Sequence, residues 1–314
     1  MPTWDSLPPA IDTGSGPLVS IIVPNYGDEA YILGAVESVA AQTHDAMEVV
    51  LVDSSGVDWL EEMAAEVGGV RYVYQEPEGP AAAFNLGVET ATGQFVGFLG
   101  ADDRFVPEKI ERQLELADEG ADVVYSDAYL RETHGTSRMT ALPVTDPATH
   151  HVDFVLKGGV PHSTVIVRSS CLPEEPFDVS LGTGEDRHLL ARLFASCVPA
   201  KVPEPLVYYE RRDDSLTSNW ESMYENEIAG LDDLLDEFEE LRPYRRRLEG
   251  RALYKRGKWA LQAGDVRAAR RSFWEAMVGG DPSLKTALLF FVSLLPFGTD
   301  RAFFYLERVQ ERLR

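Results

Sequence analysis

Three short apolar runs separated by helical patterns constrain this chain more than any other feature. Residues 18–24, LVSIIVP, form a β-branched stretch closed by Pro24, and residues 48–52, EVVLV, and 70–74, VRYVY, repeat the theme. Runs this short and this apolar read as strands buried in a parallel sheet. Between them, residues 29–42 place Ile32, Leu33, Val36, Val39 and Ala40 at helical spacing, and residues 59–67 predict a second helix. Strand, helix, strand, helix, strand is the pattern of a parallel sheet with crossover helices. The loop after the first strand, Asn25-Tyr26-Gly27-Asp28, lacks both the Gly-x-Gly-x-x-Gly turn and the P-loop lysine motif, which argues against dinucleotide and P-loop enzymes.

A fourth strand is predicted in ATGQFVGFLGADDRF, residues 91–105, where an apolar run from Gln94 to Gly100 stops at Asp102-Asp103. Open α/β sheets bind ligands at that carboxyl edge. Adjacent carboxylates repel unless a positive group joins them, and a divalent cation held through oxygens does so. The simpler alternative is a solvated turn before the helix expected over residues 107–119. A second acidic corner lies in FDVSLGTGEDRHLLARLFA, residues 177–195, where a glycine-rich turn delivers Glu185-Asp186 to the start of a helix. Acidic residues in a first turn are favoured by the helix dipole, so capping is the simple reading there.

Four segments in order resemble the family 2 glycosyltransferases: VSIIVPNYGDEAYILGAVESVAAQT, EVVLVDSS, YQEPEGPAAAFNLGVETATGQFVGFLGADD and GEDRHLLARL. The resemblance spans about residues 18–217 and implies a GT-A fold, a three-layer α/β/α sandwich, followed by a helical C-terminal extension. The implied domains are a tail (1–17), the GT-A domain (18–219) and a helical region (220–314). It also implies an inverting, non-processive hexosyltransferase that moves one sugar from a nucleotide-sugar donor to an acceptor hydroxyl of a glycan or lipid-linked saccharide. On the motif positions, Pro24, Asn25, Tyr26, Asp53 and Asn85 border the donor, and Asp102 and Asp103 hold Mn2+ or Mg2+ beside the diphosphate. Asp186, flanked by Glu185, matches the base; His162 and Ser163 match the acceptor-facing edge, and Arg212 is a candidate diphosphate cation. A carboxylate is competent to take the acceptor proton when it lies within hydrogen-bond reach. Three positions depart from the family pattern: relatives often carry Arg where Phe84 and Leu86 stand and Asp where Gly100 stands. These departures sustain a second reading, an inactive relative serving as an interaction module. A nucleotidyltransferase on a similar layer is a third.

The remaining expectations come from charge and hydropathy. A net charge of −23 argues against a nucleic-acid partner. Six lysines beside 52 acidic residues suggest a halophilic protein, kept soluble where salt screens self-repulsion. Cys171 and Cys197 are too few for a disulfide framework and are expected as small buried residues, and His188 is expected at the surface. Residues 134–160 read as an irregular loop. The N-terminal residues have no signal-peptide pattern, which suggests a cytoplasmic enzyme of surface-polysaccharide synthesis or protein glycosylation. From Trp220 onward the pattern is helical, with Ile228, Leu231, Leu234, Leu235 and Phe238 on one stripe and a hairpin turning at Gly264-Asp265. Residues 286–297, TALLFFVSLLPF, read as a core helix, a contact in a homo-oligomer, or an in-plane membrane anchor flanked by Lys285 and Arg301.

Overall fold

The computed structural model describes residues 14, 16–132, 135–210 and 220–294. The described residues divide into two compact units, one from those up to 180 with 185–210, and the other from 181–184 with 220–294.

The first unit begins with β1 (Val19–Asn25), α1 (Glu29–Ala40), β2 (Met47–Asp53), α2 (Asp58–Glu66), β3 (Val70–Tyr74), α3 (Pro80–Thr90) and β4 (Phe95–Phe98). It continues through β5 (Arg104–Phe105), α4 (Lys109–Asp118), β6 (Val123–Glu132), β7 (Gly135–Met139), α5 (His150–Lys157), β8 (Ile166–Arg168), α6 (Glu185–Ser196) and β9 (Pro199–Glu210). The strands form one mixed sheet in the order β3-β2-β1-β4-β8-β6-β9-β5, with β7 paired to β6. β1 to β4 run parallel, and β8 turns antiparallel against β4. The alternation read from residues 18–74 is therefore the observed one. Every residue of β2 is buried, and α1 packs Ile32, Ala35, Val36 and Val39 inward.

Residues 135–157 depart from the irregular loop expected there. They hold β7 and the eight-residue α5, separated by a short 3-10 turn at Pro147–Thr149. α5 is too short to announce itself by periodicity; tertiary contacts fix it. The His150 ring stacks on Tyr125 at 5.8 Å and meets Phe194 edge-on at 4.7 Å. β9 escapes the strand pattern because it contains Pro199, Pro203 and Pro205, and proline cannot donate to a ladder. The structure accommodates them with a register shift: Val202 pairs with Ser126 while Pro205 pairs with Asp127. At that bulge the buried Asp127 carboxylate receives Lys201 and Arg138, each at 2.7 Å.

Two smaller expectations are corrected. His188 is 2% exposed, on the buried side of α6. Cys171 and Cys197 are half-buried; burial first, and its pairing with Cys197 second, push Cys171 up to about 12.

The second unit contains α7 (Trp220–Glu237), α8 (Arg245–Gln262), α9 (Val266–Gly279) and α10 (Leu284–Ser293). Leu231, Leu234 and Leu235 form the buried stripe of α7. Asp265 caps α9 by accepting from the Ala268 amide, and Ser283 caps α10 through Thr286. α8, α9 and α10 enclose Ala260, Leu261, Ala269, Phe273 and Leu289. Gly257 lets α8 approach the Phe273 ring, where a Cβ would stand 2.5 Å from it. Residues 295–297 of the apolar run lie outside the described residues, as do Arg301 and residues 1–13.

Candidate active site

Parallel strands place their carboxyl ends together, and the sheet register shows which residues share that edge. Asn25 stands opposite Asp53, and Asp53 opposite Tyr74. Ile22 pairs with Phe98, so Gly100 to Asp103 emerge beside the end of β1. The carboxyl edge is thus lined by the Asn25 loop, Asp53, and the Asp102-Asp103 corner.

Asp53 is fully buried and saturated by protein donors. Its Oδ1 accepts from Asn25 Nδ2 (2.8 Å), the Ser55 amide (3.0 Å) and Ser55 Oγ (2.6 Å). Its Oδ2 accepts from the Gly56 amide and the Tyr72 hydroxyl, both at 3.0 Å. Burial pushes this carboxyl up, but these hydrogen bonds outweigh it and hold it below the usual range. Asp53 therefore organises the loop after β2, and a donor contact there would share oxygens already in use. Tyr26 is 70% exposed at the same edge, next to the half-buried Pro24. Tyr74, exposed and opposite Asp53, is a further aromatic that the sequence reading did not single out.

At the acidic corner the two aspartates separate in role. Asp103 is buried; its Oδ1 accepts from the Glu210 amide at 2.9 Å and its Oδ2 from the Ser163 hydroxyl at 2.5 Å. Burial pushes Asp103 up to about 6, with neighbouring Asp102 adding to the rise against those two hydrogen bonds. Asp102 is half-buried. Gly100 suits this corner, because a Cβ there would lie 3.1 Å from Asp103 Oδ2 and 3.2 Å from Asp102 Oδ1. Arg104, also missed by sequence reasoning, braces the turn by donating to the carbonyls of Ala101, Asp103 and Tyr31.

The two acidic corners, 83 residues apart in sequence, meet at one short turn, His162–Thr164. Ser163 Oγ receives the Gly100 amide at 3.1 Å while donating to Asp103. Its neighbour His162 places Nδ1 3.5 Å from Asp186 Oδ2. Ser163, expected to face an acceptor, is instead fully buried and joins the corners from within. Burial would lower His162, but Asp186, with Asp103 and Glu185 further off, outweighs it and holds the imidazole above its ordinary value. Burial would likewise raise Asp186, but His162 and the Arg187 amide, 2.7 Å from Oδ1, hold it low. Asp186 is therefore an ionised, half-buried carboxylate at the start of α6, with Glu185 beside it.

Asn85 does not present its amide to the edge. Nδ2 donates to the Phe177 carbonyl at 2.8 Å and Oδ1 accepts from the Phe177 amide at 2.9 Å, which clamps the segment leading to Asp186. Phe84 stacks on Phe177 at 4.8 Å and meets His162 at 5.4 Å, so the position where relatives often carry Arg is filled by ring packing. Arg212 lies outside the described residues.

Residues 20–170 match the family described as Glycosyl transferase family 2. That stretch is 151 of the 314 residues, just under half of the chain. EpsH of Bacillus subtilis, whose name assigns it as a glycosyltransferase, is 26% identical over 74% of this chain and 73% of its own length. An uncharacterised glycosyltransferase of Rickettsia felis is 38% identical, but the match covers 32% of this chain and only 17% of that relative. Among solved structures, residues 1–349 of S. aureus TarS with UDP-GlcNAc align at a TM-score of 0.60 and 19% identity, covering 88% of this chain and 87% of that one. Mannosyltransferase PcManGT of Pyrobaculum calidifontis, with GDP-Man and Mn2+, aligns at 0.57 and 17% identity, covering 96% and 86%. The first unit has the GT-A fold expected from the sequence motifs, and the helical C-terminal region follows it.

A divalent cation is tested by the donor set of this domain. Among the described residues, three or more His, Cys, Asp or Glu are nowhere grouped as a metal cage. Both Asp103 oxygens already accept hydrogen bonds, and the adjacent half-buried Asp102 carboxylate would hold a cation with Asp103 in support. One protein carboxylate completed by substrate phosphate and water oxygens is an arrangement that Mg2+ and Mn2+ accept. The residues present fit a divalent cation whose remaining ligands are oxygens from outside the protein.

Proposed function

We propose that this protein is an inverting, non-processive glycosyltransferase that moves one hexose from a nucleoside-diphosphate sugar to a hydroxyl of a glycan or lipid-linked saccharide. The single observation that carries this reading is the His162–Thr164 turn, which links the Asp102-Asp103 corner to Asp186. The UDP-GlcNAc and GDP-Man bound by the TarS and PcManGT neighbours support a nucleotide-sugar donor.

In the reaction, the acceptor oxygen bonds to the anomeric carbon as the bond from that carbon to the diphosphate breaks. The acceptor proton passes to Asp186, which is ionised at neutral pH because His162 and the Arg187 amide hold it low. His162 fixes the carboxylate's orientation, and Asp186 in turn favours the charged form of the imidazole. One displacement on one face inverts the centre; no second carboxylate is required as nucleophile. Asp102, supported by Asp103, would hold a divalent cation, and that cation would supply charge neutralisation for the departing diphosphate. The exposed Tyr26 and Tyr74 offer stacking faces for the base.

The test is a panel of UDP-, GDP- and dTDP-sugars with Mn2+ or Mg2+, read as nucleoside-diphosphate release and as thermal shift. One donor should raise the melting temperature and be turned over. Asp186→Asn should lower turnover by about 10²- to 10⁴-fold in a protein that stays folded, its melting temperature falling only by the lost pairing with His162, and Asp102→Ala should abolish metal-dependent turnover. Turnover unaffected by both substitutions would sink the assignment.

A further inference from the structure

The charge of this chain is unevenly distributed. Residues 1–241 hold 13 Lys and Arg against 45 Asp and Glu, a net −32, while residues 242–314 hold 16 against 7, a net +9. Within that basic region α9 places Arg267, Arg270, Arg271, Trp274 and Val278 at i, i+3, i+4, i+7 and i+11, which is one helical face. Arg267, Arg271, Trp274 and Val278 are exposed there, with Glu275 beside Arg271 at 2.8 Å. Arg270 donates to the Ser293 carbonyl at 2.6 Å and so ties this face to α10. The apolar surface continues across the two helices: Trp274 meets Phe290 at 5.6 Å, and Phe290 meets Phe291 at 5.6 Å. Trp274, Val278, Leu284, Phe291 and Leu294 are each between 46% and 73% exposed, on helices whose opposite sides form the local core. Among the described residues no helix is long and apolar enough to cross a membrane.

We propose that the outer face of α9 and α10 docks on an anionic lipid surface, with Trp274, Val278 and Phe291 entering the headgroup boundary and Arg267, Arg271 and Lys285 meeting lipid phosphates. Exposed aromatics interleaved with arginines on a helix face are the composition of an interfacial helix. The partner is argued from charge. In a chain of net −23, the apolar patch lies in the region that is positive, and a symmetric contact with a second copy would oppose two basic faces. The surface extends the anchor expectation for residues 286–297 to α9, which periodicity alone did not mark. It stands whichever acceptor the enzyme uses.

The experiment is sedimentation of the full chain with phosphatidylcholine vesicles, alone and mixed with phosphatidylglycerol, as salt is raised. Binding should require phosphatidylglycerol and weaken with salt. Each basic residue at such a surface contributes about fivefold, so Arg267→Glu with Arg271→Glu should weaken binding by roughly 25-fold or more. Trp274→Ala with Phe291→Ala should also weaken it, and both double variants should keep the parent's circular-dichroism melting and nucleoside-diphosphate release. The proposal is overturned if the full chain stays in the supernatant with mixed vesicles, as it would were residues 295–314 covering this face. It is equally overturned if the variants bind like the parent, or if the arginine variant converts a lipid-free dimer to a monomer. Nucleoside-diphosphate release, read on the same samples, bears on the catalytic reading and leaves this surface unaffected.

Discussion

Ser163 is the residue on which the two corners depend, and its chemistry makes it sensitive. One hydroxyl accepts from Gly100 and donates to Asp103, so removing it leaves a half-buried amide and a buried carboxylate each short of a partner. Ser163→Ala should cost about 1–3 kcal/mol in thermal or urea unfolding and lower turnover, while Ser163→Thr restores part of both. The His162–Asp186 pair gives a pH signature. His162 is raised, so its contribution is whole below its unfolded value of about 6.5 and fades as pH rises through the folded value. Asp186 is lowered, so its contribution is present above about pH 4 and is lost as pH falls. The stability difference between parent and His162→Gln should therefore peak between about pH 4 and 6.5 and shrink above neutrality, as melting curves across that range would show.

Elements in this fold are legible where burial is continuous and obscure where contacts set them. β2 and α1 announce themselves because whole runs of residues share one environment. α5 does not, since eight residues with two histidines carry little periodicity, and its place is set by Tyr125 and Phe194. The same contacts make α5 acid-sensitive. Burial pushes His150 down to about 4, with Asp153 partly opposing, while its Nε2 stays 3.0 Å from the Tyr125 hydroxyl. The unfolded chain then binds more protons between about pH 6.5 and 4, so stability falls as pH drops through that window, by roughly 3 kcal/mol. His150→Phe keeps a ring on Tyr125 and should flatten this part of the stability-pH curve.

For the whole molecule, the acidic excess of residues 1–241 predicts a salt response. The Debye length falls from about 30 Å to about 3 Å between 0.01 and 1 M salt, which removes most repulsion among exposed carboxylates. The melting temperature should rise over that range in KCl; a flat or falling trend would remove the halophilic expectation. The basic residues 242–314 belong to a different regime, in which salt weakens a contact instead of relieving repulsion.

By itself the sequence determined the alternating strands and helices of residues 18–74, the motifs by which residues 20–170 match a family model, and which carboxylates close a strand or open a helix. Those are properties of short stretches, where side-chain pattern and backbone preference act within a few residues. Only the tertiary structure decided that Ser163 is a buried brace, that Asn85 clamps Phe177, that Asp53 is saturated by its own loop, and that Asp103 is buried while Asp102 is half-buried. Each of those depends on a hydrogen-bond partner brought from a distant part of the chain. A side chain's type limits which bonds it can make, and the fold chooses which one it does make.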